Sequence, residues 1–197
     1  IRFQGGNNAG HTVEIGDEHY VLHLIPSGIF RPNVVNVIGN GVVLDPELFA
    51  AEAAELEKSG VDMQKVLRIS RKAHLIMPTH RLLDAANEAA KGKARIGTTG
   101  KGIGPTYTDK VSRYGLRVGD LELDFDKRYQ AARDRHLQML AQMGYQLPDD
   151  FAERERRWLQ AAAAMARFEL ADTDWLINDA LRDGKKVLAE GAQGTML

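Results

Sequence analysis

Apolar and polar positions alternate in short runs through the first third of the chain and then change to a helical period. Residues 12–25 alternate as a hairpin, Thr12-Val13-Glu14-Ile15 and Tyr20-Val21-Leu22-His23-Leu24, around Gly16-Asp17-Glu18. Val34 to Ile38 and Gly41 to Leu44 are short strands of buried character, and Val66 to Ile69 and Ala73 to Met77 are two more. Asp45-Pro46 starts a helix, with Asp as N-cap and Pro in the first turn, and Gly60 ends it. A second helix, Arg81 to Ala90, closes before Gly92, and a short one, Tyr107 to Arg113, ends at Gly115. Two long helices, about Phe125 to Met143 and Phe151 to Leu170, are separated by Gly144 and Pro148. Their apolar stripe is Leu137, Leu140, Trp158, Met165 and Phe168. A last helix, Asp174 to Leu181, stops at Asp183-Gly184, and the strand Lys186 to Ala189 follows.

Strands alternating with helices predict an α/β fold: a mostly parallel central sheet with flanking helices and a helical insertion at about 125–170. In such sheets ligands sit beyond the carboxyl ends of the strands. With 197 residues, the expectation is a single α/β domain over 1–197. The chain opens at Ile1-Arg2-Phe3 and stops at Met196-Leu197, so it reads as a piece of something longer.

Composition narrows the function classes. A net charge of −1 argues against a broad nucleic-acid surface, which needs a basic excess. The chain has no cysteine, which removes disulfides and thiolate metal sites and fits a cytoplasmic protein. No apolar run approaches the roughly 20 residues of a membrane span, so no membrane partner is expected.

Three glycine-rich loops carry the candidate chemistry: Gln4-Gly5-Gly6-Asn7-Asn8-Ala9-Gly10-His11-Thr12, then Gly97-Thr98-Thr99-Gly100-Lys101-Gly102-Ile103-Gly104-Pro105, then Glu190-Gly191-Ala192-Gln193-Gly194-Thr195. Glycines let backbone N–H groups face a phosphate, Asn offers donor and acceptor together, and His offers a proton near neutral pH. The middle loop is not a standard NTPase phosphate loop, because Arg95 and Gly102 stand where Gly and Ser or Thr are required. Nor is it a dinucleotide fingerprint, because Pro105 ends it. Asp109, Lys110 and Arg113 lie at helical spacing, and Arg113 suits a forked phosphate contact. His74 reads as a core or edge histidine. His19, His80 and His136 have no companions at metal-ligand spacing. Glu52, Glu55 and Glu57 read as a solvated helix face.

Taken together, the first loop, Leu22-His23-Leu24-Ile25-Pro26-Ser27-Gly28, the stretch Ile96 to Pro105, Asp109-Lys110-Val111-Ser112-Arg113 and Glu190 to Thr195 resemble the adenylosuccinate synthetase family. The motifs run in order over essentially the whole chain. Where that family commonly has His before the second asparagine, this chain has Asn7. The resemblance implies a P-loop-NTPase-like fold and a ligase that condenses IMP with L-aspartate at the expense of GTP, using Mg²⁺, on the route to AMP. It implies that His11 is the proton donor and that Asn8, Ala9, Gly10, His11, Thr99, Arg113 and Gln193 bind IMP. It further implies that Gly10, His11 and Thr12 contact GTP, that the Gly10 carbonyl ligates Mg²⁺, and that Arg113 reaches the IMP of a neighbouring subunit in a homodimer. The family's catalytic-Asp loop would precede Ile1, and its guanine- and aspartate-recognising residues would follow Leu197. The 197 residues alone are therefore expected to be inactive. A nucleotide-binding switch module would keep the glycine loops without needing His11, and a helical scaffold would need none of the three.

Overall fold

Strand β4 (Asn36–Leu44) is the axis of the molecule, pairing in parallel with β1 (Arg2–Gly5), β5 (Leu67–Ser70) and the short β6 (His74–Leu75). The structure, a computed structural model, describes residues 1–8, 10–92 and 97–193. Strand β7 (Glu169–Ala171) adds to β5, giving the order β1-β4-β5-β7. A separate antiparallel hairpin joins β2 (His11–Ile15) to β3 (Glu18–Leu22), in the register His11 opposite Leu22. Helix α1 (Pro46–Lys58) begins on Asp45, whose carboxylate accepts the Glu47 and Leu48 N–H groups. The remaining helices are α2 (Met63–Val66), α3 (Pro78–Ala90), α4 (Ile103–Ser112), α5 (Phe125–Gln142), α6 (Phe151–Ala164) and α7 (Thr173–Arg182). No described helix is long and apolar enough to cross a membrane.

Packing follows the apolar pattern. Ile38, Val42, Leu44, Leu67 and Ile69 of the sheet meet Phe49 and Leu56 of α1 and Trp158 and Ala162 of α6 in one core. Trp158 stacks with Tyr129 of α5 and donates its Nε1–H to the Ile76 carbonyl at 2.7 Å, so the indole is buried with its polar atom satisfied. The predicted stripe divides between two cores. Trp158, Met165 and Phe168 join the sheet, while Leu140 and Leu137 pack with Leu82 and Leu83 of α3.

Several element boundaries depart from the sequence pattern, each for a local reason. Val34 and Val35 are exposed, and β4 starts at Asn36 and runs unbroken through Gly39-Asn40-Gly41. Those glycines permit close approach rather than a break: a Cβ on Gly41 would lie 2.1 Å from the Phe3 carbonyl oxygen of β1. Helix α3 begins at Pro78 instead of Arg81, using Pro at its first position. Helix α4 begins at Ile103, several residues earlier than expected, on Gly102 in a left-handed conformation. Helix α6 ends at Ala164, and residues 169–171 form β7, a strand too short for its alternation to register. Residues 186–189 form no regular strand. They run beside β1, with the Ile1 nitrogen donating to the Leu188 carbonyl and the Glu190 N–H to the Ile1 carbonyl, each at 2.7 Å.

Candidate active site

Strand β1 leaves the sheet at Gly5 and enters the first glycine loop, which returns into the hairpin at His11. The other two glycine loops press against it. Lys101 donates its Nζ proton to the Asn7 carbonyl at 2.8 Å. A Cβ on Gly6 would lie 2.7 Å from Ile103 Cδ1, and one on Gly5, whose φ is +88°, would lie 2.2 Å from the Ala192 methyl. Glycine is required at both positions so that three backbone segments can meet. Tyr107 of α4 fixes the arrangement: its hydroxyl accepts the Gly5 N–H at 3.0 Å and donates to the Gly41 carbonyl at 2.8 Å.

At this junction lies a charge network. Arg2 is buried, and its Nη1 reaches both His11 Nδ1 and Glu190 Oε1 at 3.2 Å. A guanidinium can only donate, so His11 Nδ1 accepts and the neutral ring carries its proton on Nε2. That nitrogen faces Glu190 Oε1 at 3.6 Å and has no hydrogen-bond partner among the described residues. Burial lowers the His11 pKa, Glu190 opposes this, and Arg2 and His23 add to it. The imidazole is therefore a neutral donor with an unspent N–H. Glu190 Oε2 accepts the Ser27 N–H at 2.9 Å, which ties the Pro26-Ser27-Gly28 turn to the same point.

The remaining predicted positions fall as follows. Gly10 precedes His11, and a Cβ there would lie 3.0 Å from the His23 ring. Thr12 is exposed on β2 opposite Val21, and Asn8 is exposed in the turn. Thr99 is exposed just before α4, and Gln193 accepts a hydrogen bond from Gln4 Nε2 at 2.7 Å. Ala9 lies outside the described residues. The structure thus gathers the three loops, while among the described hydrogen bonds none joins Asn8, Thr99 and Gln193 to one another. Arg113 is exposed at the opposite end of α4, about 15 Å from the helix start by the rise of ten residues. Its φ of 67° is left-handed, the only positive value at a non-glycine among the described residues. One cavity of about 500 Å³ lies between the hairpin and α1, and another of about 480 Å³ runs along Tyr107, Thr108 and Val111 of α4.

Three features lay outside the sequence reading. Glu190 opens the third glycine-rich loop, and its carboxylate meets Arg2 and the Ser27 N–H, contacts that its position in the sequence does not reveal. Glu52 is not on a solvated face: it accepts the N–H groups of His23, Leu24 and Ile25. His80 and His136, without companions in sequence, meet at Asp109, their candidate ligand atoms all within 4.8 Å. His74 is buried in β6, as expected of a core histidine.

Comparison with known proteins gives a consistent result. The family model described as adenylosuccinate synthetase matches residues 1–197. Adenylosuccinate synthetase of Porphyromonas gingivalis is 64% identical over 196 residues, and that of Bacteroides thetaiotaomicron is 58% identical. Each alignment covers 100% of this chain and 46% of the relative. The chain thus spans about half the length of the curated relatives it matches. Among solved structures, the fully ligated adenylosuccinate synthetase of Plasmodium falciparum superposes with a TM-score of 0.83 at 34% identity, covering 100% of this chain and 45% of the other.

Proposed function

Because the chain belongs to the adenylosuccinate synthetase family, we propose that it is part of a ligase that joins IMP to L-aspartate with hydrolysis of GTP. The observation that carries this reading is the Arg2–His11–Glu190 junction at the meeting point of three glycine loops. In the reaction, the catalytic Asp that the family resemblance implies takes the N1 proton of IMP, and the 6-oxygen attacks the γ-phosphorus of GTP, releasing GDP. The aspartate amine then attacks carbon 6, and phosphate leaves. His11, held as the Nε2–H tautomer by Arg2, donates that proton in a hydrogen bond to the transferring phosphoryl group and the 6-oxygen. The buried Arg2 cation stands behind the ring and opposes its protonation, so His11 serves as a neutral donor.

Backbone N–H groups of the glycine loops take the nucleotide phosphates. Asn8, Ala9, Gly10, Thr99 and Gln193 bind IMP, and Gly10, His11 and Thr12 face GTP. Gly10 would hold Mg²⁺ through its backbone carbonyl oxygen, the hard ligand that ion prefers. When bound, the ion offsets charge on the phosphates. Arg113 binds the IMP phosphate of a neighbouring subunit. Val111, 80% exposed, and Tyr114, 61% exposed, flank it and supply the apolar surface an interface needs.

The test is to mix the full-length polypeptide carrying this sequence with IMP, GTP, Mg²⁺ and aspartate and follow the ultraviolet change. Conversion that stops when any one of the four is omitted is expected. A full-length polypeptide that binds nucleotide but leaves IMP unchanged would favour a switch module instead.

A further inference from the structure

Asp109 lies one turn before Arg113 on α4 and takes no part in the junction at His11. Its Oδ2 accepts three hydrogen bonds: from Arg135 Nη2 at 2.7 Å, from His136 Nε2 at 2.9 Å and from His80 Nε2 at 3.1 Å. The tautomer of His80 is fixed by its other neighbour. The Met77 backbone N–H donates to His80 Nδ1 at 2.9 Å, so the lone pair is there and the proton is on Nε2, aimed at Asp109. The Thr79 hydroxyl lies 2.7 Å from His136 Nδ1 and completes that ring. The carboxylate is therefore filled with protons from three sides. Read this way, the cluster is a hydrogen-bonded clamp, since the His80 lone pair points away from the site where a metal would sit.

The same residue also closes the turn that displays Arg113. The Asp109 carbonyl accepts the Tyr114 N–H at 2.9 Å and the Gly115 N–H at 3.1 Å, across the residue whose φ is 67°. A non-glycine residue held in this region costs energy and persists only where its surroundings impose it. The Arg135 guanidinium adjoins this turn. Already paired with Asp109, it lies 4.4 Å from the centre of the Tyr114 ring. One cation thus grips the carboxylate before the turn and the aromatic ring within it.

We propose that Asp109 and Arg135 are positioning residues for Arg113: their pair anchors the turn 113–115 to α5, and so sets the direction in which the Arg113 guanidinium leaves the surface to meet a nucleotide phosphate. The proposal rests on the reading that Arg113 binds IMP. His80 and His136 hold the carboxylate against α3 and α5, so that the pair has one geometry.

A double-mutant cycle in the full-length polypeptide separates positioning from simple structural support. Asp109→Asn and Arg135→Gln are each expected to raise the KM for IMP about tenfold, with the KM values for GTP and aspartate held within about twofold. On an Arg113→Leu background the same changes should add less than about twofold, because the group they act through is gone. Effects that multiply with Arg113→Leu, or that fall equally on all three substrates, overturn the proposal. So does an unchanged IMP KM in both variants while Arg113→Leu raises it. If Arg113→Leu itself leaves the IMP KM unaltered, the assignment of Arg113 to IMP fails first, and the positioning role falls with it. Should Asp109→Asn not fold, Arg135→Gln carries the cycle alone, since that side chain is 28% exposed and its loss leaves both histidine bonds in place.

Discussion

A histidine between a buried cation and a carboxylate is chemically specified by its neighbours. Arg2 leaves His11 only one neutral tautomer, and Glu190 Oε1 stands 3.6 Å from the nitrogen that then carries the proton. His11→Asn keeps a polar side chain of similar size but loses the imidazole donor. In the full-length polypeptide it is expected to fold normally and to lower kcat about 10²-fold or more, the scale of a lost general acid or transition-state donor. A kcat within a few-fold of the parent would remove His11 from the chemistry. The candidacy of His11 came from the sequence, where an imidazole in a glycine- and asparagine-rich loop can offer a proton beside a phosphate. The roles of Arg2 and Glu190 did not. Arg2 lies in a strand whose neighbours are apolar, and Glu190 meets it only after the sheet has brought distant segments side by side.

At the scale of elements, close backbone approach and buried titratable groups set the stability. Gly41 sits where β4 meets β1, and a methyl group there would overlap the Phe3 carbonyl oxygen. Gly41→Ala is expected to destabilise the fold by on the order of 3 kcal/mol, measured as a lower urea midpoint, since backbone must move to make room. An unchanged midpoint would mean that β1 is not held in this register. The histidines of β6 and α3 give a pH dependence of known sign. Burial is the main cause that lowers both His74 and His80 to about 4, with Lys110 and Arg117 assisting at His74 and the Asp109 bond opposing at His80. The unfolded chain, with values near 6.5, therefore binds more protons than the folded chain between pH 6.5 and 4. Their contribution is full above about pH 6.5 and declines as the pH falls through that window. Asp109 works in the same direction lower down: burial would raise it, but the His136 and His80 bonds prevail and hold it well below the usual carboxylate range. The urea midpoint should fall between pH 7 and pH 5, and a flat profile would show that these rings are not buried neutral. Strands and helices with strong period or cap signals, such as the hairpin and α1, were legible in the sequence. Those defined by pairing alone, β1 and β7, were not, because a three- or four-residue strand is stabilised by its neighbours more than by its own pattern.

For the whole molecule, the decisive distance is the length of α4. The loop at its start touches the His11 junction through Lys101 and Ile103, while Arg113 leaves its other end beside exposed Val111 and Tyr114. Exposed at the far end of α4, Arg113 is placed as the proposal of a site shared between two subunits requires. An Arg–phosphate fork in a partly desolvated interface is a strong contact, so Arg113→Leu is expected to weaken IMP binding by about 2–5 kcal/mol, with GTP affinity changed less. Complementation distinguishes the two geometries. Full-length Arg113→Leu subunits are mixed with His11→Asn subunits, and heterodimer formation is verified independently. If Arg113 acts on its neighbour, the mixed dimer contains one site with both defects and one with neither, and activity returns. If it acts within its own subunit, each site keeps one defect and mixing restores nothing. An inactive mixture containing proven heterodimers would therefore place Arg113 in its own subunit's site and end the shared-site reading.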